Sequence, residues 1–109
     1  MRIWDISPAK LCRNHLLGEH RELYAIWVIL TQGKAGYSKH PETMRWRGKL
    51  RALFLRHVAL VKEMKRRGYK HLSELDKTKA LGKKVQLDFV DSYRKQIDAL
   101  KDKKCGCKI

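Results

Sequence analysis

The stretch from Ser7 to Gly33, SPAKLCRNHLLGEHRELYAIWVILTQG, decides the fold. Ser7 suits an N-cap, and Pro8 suits the first helical position because its missing N–H would find no partner there and its φ is preset. Apolar residues then recur at three- and four-residue steps, which predicts a first helix running to about Thr31 and stopping before Gly33. At about 100° per residue, Leu11, His15, Gly18, Glu19, Glu22, Ile26 and Ile29 share one face. That face mixes apolar side chains with two carboxylates. Between apolar turns a carboxylate such as Glu22 is expected to feel desolvation that raises its pKa and suits it to proton transfer. The plainer reading is structural, with Glu22 paired to an arginine of another helix and His15 packed as a core histidine.

Outward from this helix, the glycines and polar residues of 33–40 predict a loop, and Pro41 opens a second helix. Leu50, Leu53, Phe54, His57, Val61 and Met64 carry its apolar period over Glu42 to Arg67, and Gly68 supplies its stop. Residues 71–84 read as a loop with a short helical turn. Asp91 or Ser92 caps a third helix reaching about Lys103, with Tyr93, Ile97 and Leu100 as its narrow apolar stripe. No strand pattern competes, and the Lys-rich tail from residue 101 reads as frayed. The expectation is all-α: three helices on one core, in a single domain spanning residues 1–109.

Charge narrows the function. The chain has 109 residues with 26 Lys and Arg against 11 Asp and Glu, a formal charge of +15. So much self-repulsion in so small a fold points to a polyanionic partner, nucleic acid before an anionic membrane. Apolar runs such as Ile26 to Leu30 are too short to span a bilayer. The N-terminus lacks the apolar core and cleavage site of a secretory signal, so an intracellular, DNA-associated protein is expected. Arg45, Arg47, Arg51, Lys62 and Arg66 on the second helix are the candidate phosphate contacts. Of the tryptophans, Trp27 and Trp46 are expected in the core, and Trp4 is the candidate for stacking near the site.

Two metal readings arise. His15, Glu19 and Glu22 could converge on a divalent ion, although a second ligand-bearing helix is missing, since the next offers only His57. Cys105 and Cys107 could hold a soft metal or form a redox pair, but with Cys12 the cysteines are odd in number and the tail shows no further ligands nearby. A reduced tail with no metal is the expectation.

The segment Asn14-His15-Leu16-Leu17-Gly18-Glu19-His20-Arg21-Glu22-Leu23 resembles the first helix of the pyrimidine-dimer DNA glycosylases. Met1-Arg2-Ile3 and the stretch from Lys49-Leu50 to Arg67-Gly68 extend the resemblance, which fades in the third helix. It implies an all-helical monomeric enzyme without metal or cofactor, acting on double-stranded DNA and joining base removal to strand cutting by β-elimination. It implies the α-amine of Met1 as nucleophile, Glu22 as catalytic carboxylate, Arg2 and Arg21 as substrate-side charges, and Asn14 and His15 as supporting contacts. Arg2 is bulky enough to block removal of the initiator methionine, which keeps the register from Met1 to Glu22. Ala25 and the cysteine-bearing tail depart from the family pattern, and both bear on which damaged base is the substrate. The rival readings are a noncatalytic basic binding module and a metal-dependent nuclease.

Overall fold

A computed structural model describes residues 2–33, 39–70, 74–103 and 105–108. Among them the protein is helical, with α1 over Arg13–Gln32, α2 over Pro41–Met44, α3 over Leu50–Arg66 and α4 over Tyr93–Asp102. Two 3₁₀ turns, Pro8–Lys10 and Lys77–Lys79, complete the order. No described helix is long and apolar enough to cross a membrane.

The expected first helix starts late. Ser7 and Pro8 open only the 3₁₀ turn, the chain is extended at Leu11, and α1 begins after Cys12 as N-cap. Its end is as predicted, with Gly33 in the left-handed region at φ 65°. Arg67, just past α3, explains why the turn stays separate: its Nη2 donates to the carbonyls of Pro8 and Leu11 at 3.2 and 2.7 Å, taking up acceptors that a continuous helix would have used.

The expected second helix is two. After α2 the chain turns through residues 45–48, and Gly48 takes φ 73° before α3 starts. Residues 81–83 fill the gap. The backbone N–H groups of Arg51 and Ala52, orphans of the first turn of α3, donate to the carbonyls of Leu81 and Lys83 at 2.9 and 3.1 Å. The approach is so close that a Cβ on Gly82, itself at φ 90°, would lie 2.2 Å from the Gly48 oxygen. A helical period read along the sequence cannot register a break that is capped by backbone 30 residues later.

α1 packs along α3 over a core of fully buried Leu16, Leu23, Ile26, Leu53 and Leu60, each of which would cost about 2–5 kcal/mol if cut back to alanine. Trp27 stacks at a tilt on Phe54, with ring centres 6.2 Å apart. Trp27 and Trp46 are core, as expected, but so is Trp4. α4 starts where Ser92 accepts from the Lys95 N–H and buries Leu100 and Gln96, while Tyr93 stays exposed. Gln96 is the anchor: its amide accepts from the Asp5 N–H at 2.8 Å and donates to the Asp5 carboxylate at 3.0 Å. The tail also departs from the frayed expectation. Lys108 donates its N–H to the Lys10 carbonyl at 2.7 Å, and the Cys12 N–H donates to Cys107 Sγ at 3.0 Å, which folds residues 105–108 onto the 3₁₀ turn.

Candidate active-site cleft

From the first turn of α1 onward, side chains line a cleft of about 470 Å³. Asn14, His15, Gly18, Glu19 and Glu22 supply one wall, Arg2 and Trp4 of the N-terminal segment a second, and Ala99 of α4 with Lys103 at its C-cap a third. Gly18 leaves the floor open, and the Arg21 guanidinium reaches to 4.0 Å of the point where a Gly18 Cβ would sit.

The two carboxylates have opposite fates. Glu19 is 2 % exposed and clamped: Arg56 of α3 donates to its Oε2 at 2.6 Å and to its Oε1 at 3.0 Å, and the Trp4 N–H donates to Oε1 at 3.0 Å. Burial pushes its carboxyl above the ordinary range, against the pull of Arg56 and of the Trp4 N–H. Glu22 is half-buried and forms no ion pair with a described residue. Seven of the eleven acids pair with cations among the described residues, namely Asp5, Glu19, Glu42, Glu63, Asp88, Asp91 and Asp98. Of the other four, Glu74, Asp76 and Asp102 stand exposed, which leaves Glu22 as the carboxylate held in a cavity without a cation assigned to it. The arginine pairing considered for Glu22 therefore belongs to Glu19.

Arg2 is oriented for the cleft. Its Nη2 donates to Asp91 at 2.9 Å and its guanidinium lies 4.7 Å from the centre of the Trp4 ring. The remaining Nη1 is buried and meets no acceptor among the described residues. Trp4 packs edge-on against His15 with centres 5.6 Å apart, and being 5 % exposed it cannot serve as the stacking surface suggested by its position in the sequence. Burial, with Lys103 nearby, holds the His15 imidazole below its ordinary pKa. Its Nδ1 faces away from the carboxylates, 3.1 Å from Cys12 Sγ and 3.5 Å from Cys107 Sγ. With both Glu19 oxygens engaged by Arg56, the His15, Glu19 and Glu22 metal triad does not assemble; the described side chains that converge as metal donors are Cys12, His15, Cys105 and Cys107.

Arg2, Asn14, His15 and Glu22 thus line one cavity with Arg21 at its edge, whereas Met1 lies outside the described residues. The expected phosphate contacts scatter. Arg45 is 8 % exposed and donates to Glu42, Asp5 and the carbonyls of Ile3 and Asp88, so it holds the N-terminal segment to α2 and is lost to DNA. Arg66 is exposed but paired with Glu63. Lys62 lines a separate hollow with Phe54, His57 and Glu74. Arg47 and Arg51 are exposed beside the break before α3. Sequence reasoning missed Arg56, Gln96 and Lys103. Cys12 was seen without its partner, although Cys12 and His15 at a three-residue step are a signal that could have linked it to the tail.

Fold and cleft define a small, basic, all-helical domain that sets among arginines one carboxylate with no ion-pair partner in the described residues, the equipment of a protein that handles a polyanion. The family model for pyrimidine dimer DNA glycosylases matches residues 1–77, and the chain belongs to that family. It is a DNA glycosylase of the repair class, with DNA as its substrate. The match takes in α1, α2 and α3 and stops before α4, Cys105 and Cys107. No curated protein and no solved structure matches the chain.

Proposed function

We propose that the cleft carries out both base removal and strand cutting on double-stranded DNA, with pyrimidine dimers as the first substrate to test and the protein acting as a monomer without an organic cofactor. The observation that carries this reading is Glu22, half-buried in the cleft beside Arg2 and unpaired with any described cation. The α-amine of Met1, one peptide bond from Arg2, is the nucleophile. An α-amine titrates near 8, so an appreciable fraction is neutral at physiological pH. Its nitrogen forms a bond to C1′ of the sugar while the glycosidic bond breaks and the base leaves with its electrons and a proton. Opening of the sugar ring gives an imine, loss of the C2′ proton follows, and the 3′ phosphate departs as the C3′–O bond breaks. Glu22 stabilises the developing positive charge and carries protons in these steps. Arg2 of the cleft wall and Arg21 at the rim bind phosphate oxygens. Extruding the nucleotide costs a few kcal/mol and least at a damaged site, which supplies selectivity.

Reductive trapping tests this directly. Borohydride added to the protein with duplex DNA bearing one dimer or one abasic site should give a covalent complex, and peptide mapping should place the adduct on Met1. Trapping solely on lysine side chains would remove the assigned nucleophile, and neither trapping nor base release on any lesion duplex would leave only DNA binding.

A further inference from the structure

We propose that Cys12, His15, Cys105 and Cys107 form a tetrahedral zinc site that staples residues 105–107 to the start of α1. One donor atom from each lies within 4.8 Å of all the others. The separations between donors are those of the edges of a zinc polyhedron. With Zn–S near 2.3 Å and Zn–N near 2.0–2.1 Å, a tetrahedron has S···S edges of about 3.8 Å and S···N edges of about 3.5 Å. Here Cys105 Sγ and Cys107 Sγ are 3.4 Å apart, and His15 Nδ1 is 3.1 and 3.5 Å from the sulfurs of Cys12 and Cys107. Those sulfurs are well beyond the bond length of about 2.05 Å that a disulfide needs.

The backbone is arranged for the same end. Cys12 is the N-cap of α1 and His15 lies in its first turn, so one helix start presents both donors toward the tail and its dipole favours thiolate. Gly106 at φ 92° lets the tail turn between its two cysteines so that both sulfurs face α1. The Cys12 N–H donates to Cys107 Sγ, the kind of outer hydrogen bond that fixes a thiolate ligand, and Trp4 packs against the His15 ring. A closed set of three sulfurs and one imidazole nitrogen suits zinc in a structural role, with no position left for water. His15 ligates through Nδ1, so the site also fixes the ring that lines the cleft, and the Cys105–Cys107 clip holds the end of α4 with Ala99 and Lys103 in place.

The test uses untagged, reduced full-length protein. Elemental analysis should find about one equivalent of zinc per chain. Cobalt substituted for zinc should give a thiolate-to-metal charge-transfer band and the intense visible bands of a tetrahedral ion, which added zinc bleaches. Cys107→Ser should lose that spectrum while keeping its helical circular dichroism, and a Cys105→Ser variant repeats the test should the first fold poorly. Zinc should also protect the tail from carboxypeptidase in the wild type. Reduced wild-type protein that takes up neither metal, a pale octahedral cobalt spectrum, bands that survive both serine variants, or cysteines recovered from cells as a disulfide would each overturn the site.

Discussion

Glu19 and Glu22 sit three residues apart on α1 and both line the cleft, yet one is also tied into the seam between α1 and α3 and the other is not. At the seam the Glu19 charge is matched: Arg56 meets both its oxygens and also the Ile6 carbonyl. In the cleft, Glu22 is left without an ion-pair partner among the described residues. A chain with far more cations than acids could have neutralised Glu22, so the difference teaches where this fold spends its arginines: on holding the scaffold, while the cavity keeps its polar groups available.

The sharpest way to break this contrast is to remove each charge in turn. Glu22→Gln should reduce single-turnover base release by about 10²–10⁴-fold with little change in Tm or DNA affinity. Wild-type cutting by the mutant would end its catalytic assignment. Glu19→Gln should do the reverse, lowering stability by about 3–5 kcal/mol because Arg56 is left partly buried without its counter-charge. Calorimetry of the two variants side by side decides whether seam and cleft are separable, and a Glu19→Gln protein as stable as wild type would show that they are not.

Arg45 and Arg51 extend the contrast to the basic residues. Arg45→Ala should cost about 3–5 kcal/mol and leave the salt dependence of DNA binding by the folded protein unchanged. Arg51→Ala should leave Tm alone and reduce the slope of log K against log salt by about 0.9. Fluorescence anisotropy across a salt series separates the two, and a flattened slope in Arg45→Ala would return that residue to the DNA interface.

The smallest effect concerns acid. The guanidinium of Arg66, joined by that of Arg67, lowers the Glu63 carboxyl to about 2. A carboxyl depressed in the folded state stabilises the fold above its unfolded pKa of about 4.5, and that contribution fades as pH falls from there toward about 2. Glu63 is itself buried, but the Arg66 guanidinium that pairs with it is largely exposed and solvent screens the pair, so only a modest part of the acid limb should disappear in Glu63→Gln. An identical Tm profile for mutant and wild type between pH 5 and 2 would show that the pairing contributes nothing.

The helical character, the core tryptophans Trp27 and Trp46, the Gly33 stop and the Ser92 cap were legible because each is a local matter of period or turn chemistry. The gathering of Arg2, Asn14, His15 and Glu22 was legible through helical spacing and a family resemblance. Arg45 was not, because a basic residue beside polar neighbours looks the same on a sequence whether it faces solvent or three acceptors brought from residues 3, 5 and 88. The break at Gly48 and the packed tail were hidden for the same reason: each depends on backbone that arrives from far along the chain.

Those long reaches also set an order of events. Arg2 meets Asp91, Asp5 meets Gln96 and Cys12 meets Cys107, so the cleft is closed by contacts spanning almost the whole polypeptide, whereas α1 and α3 can pair across a much shorter loop. Closing the longer loops carries the greater entropy cost and comes late in folding. On the ribosome, residues 91–107 emerge after the α1–α3 pair is already in the open. A nascent chain of this enzyme therefore passes through a stage in which it is basic and largely helical but lacks a finished cleft, so that it can meet DNA before it is able to act on it.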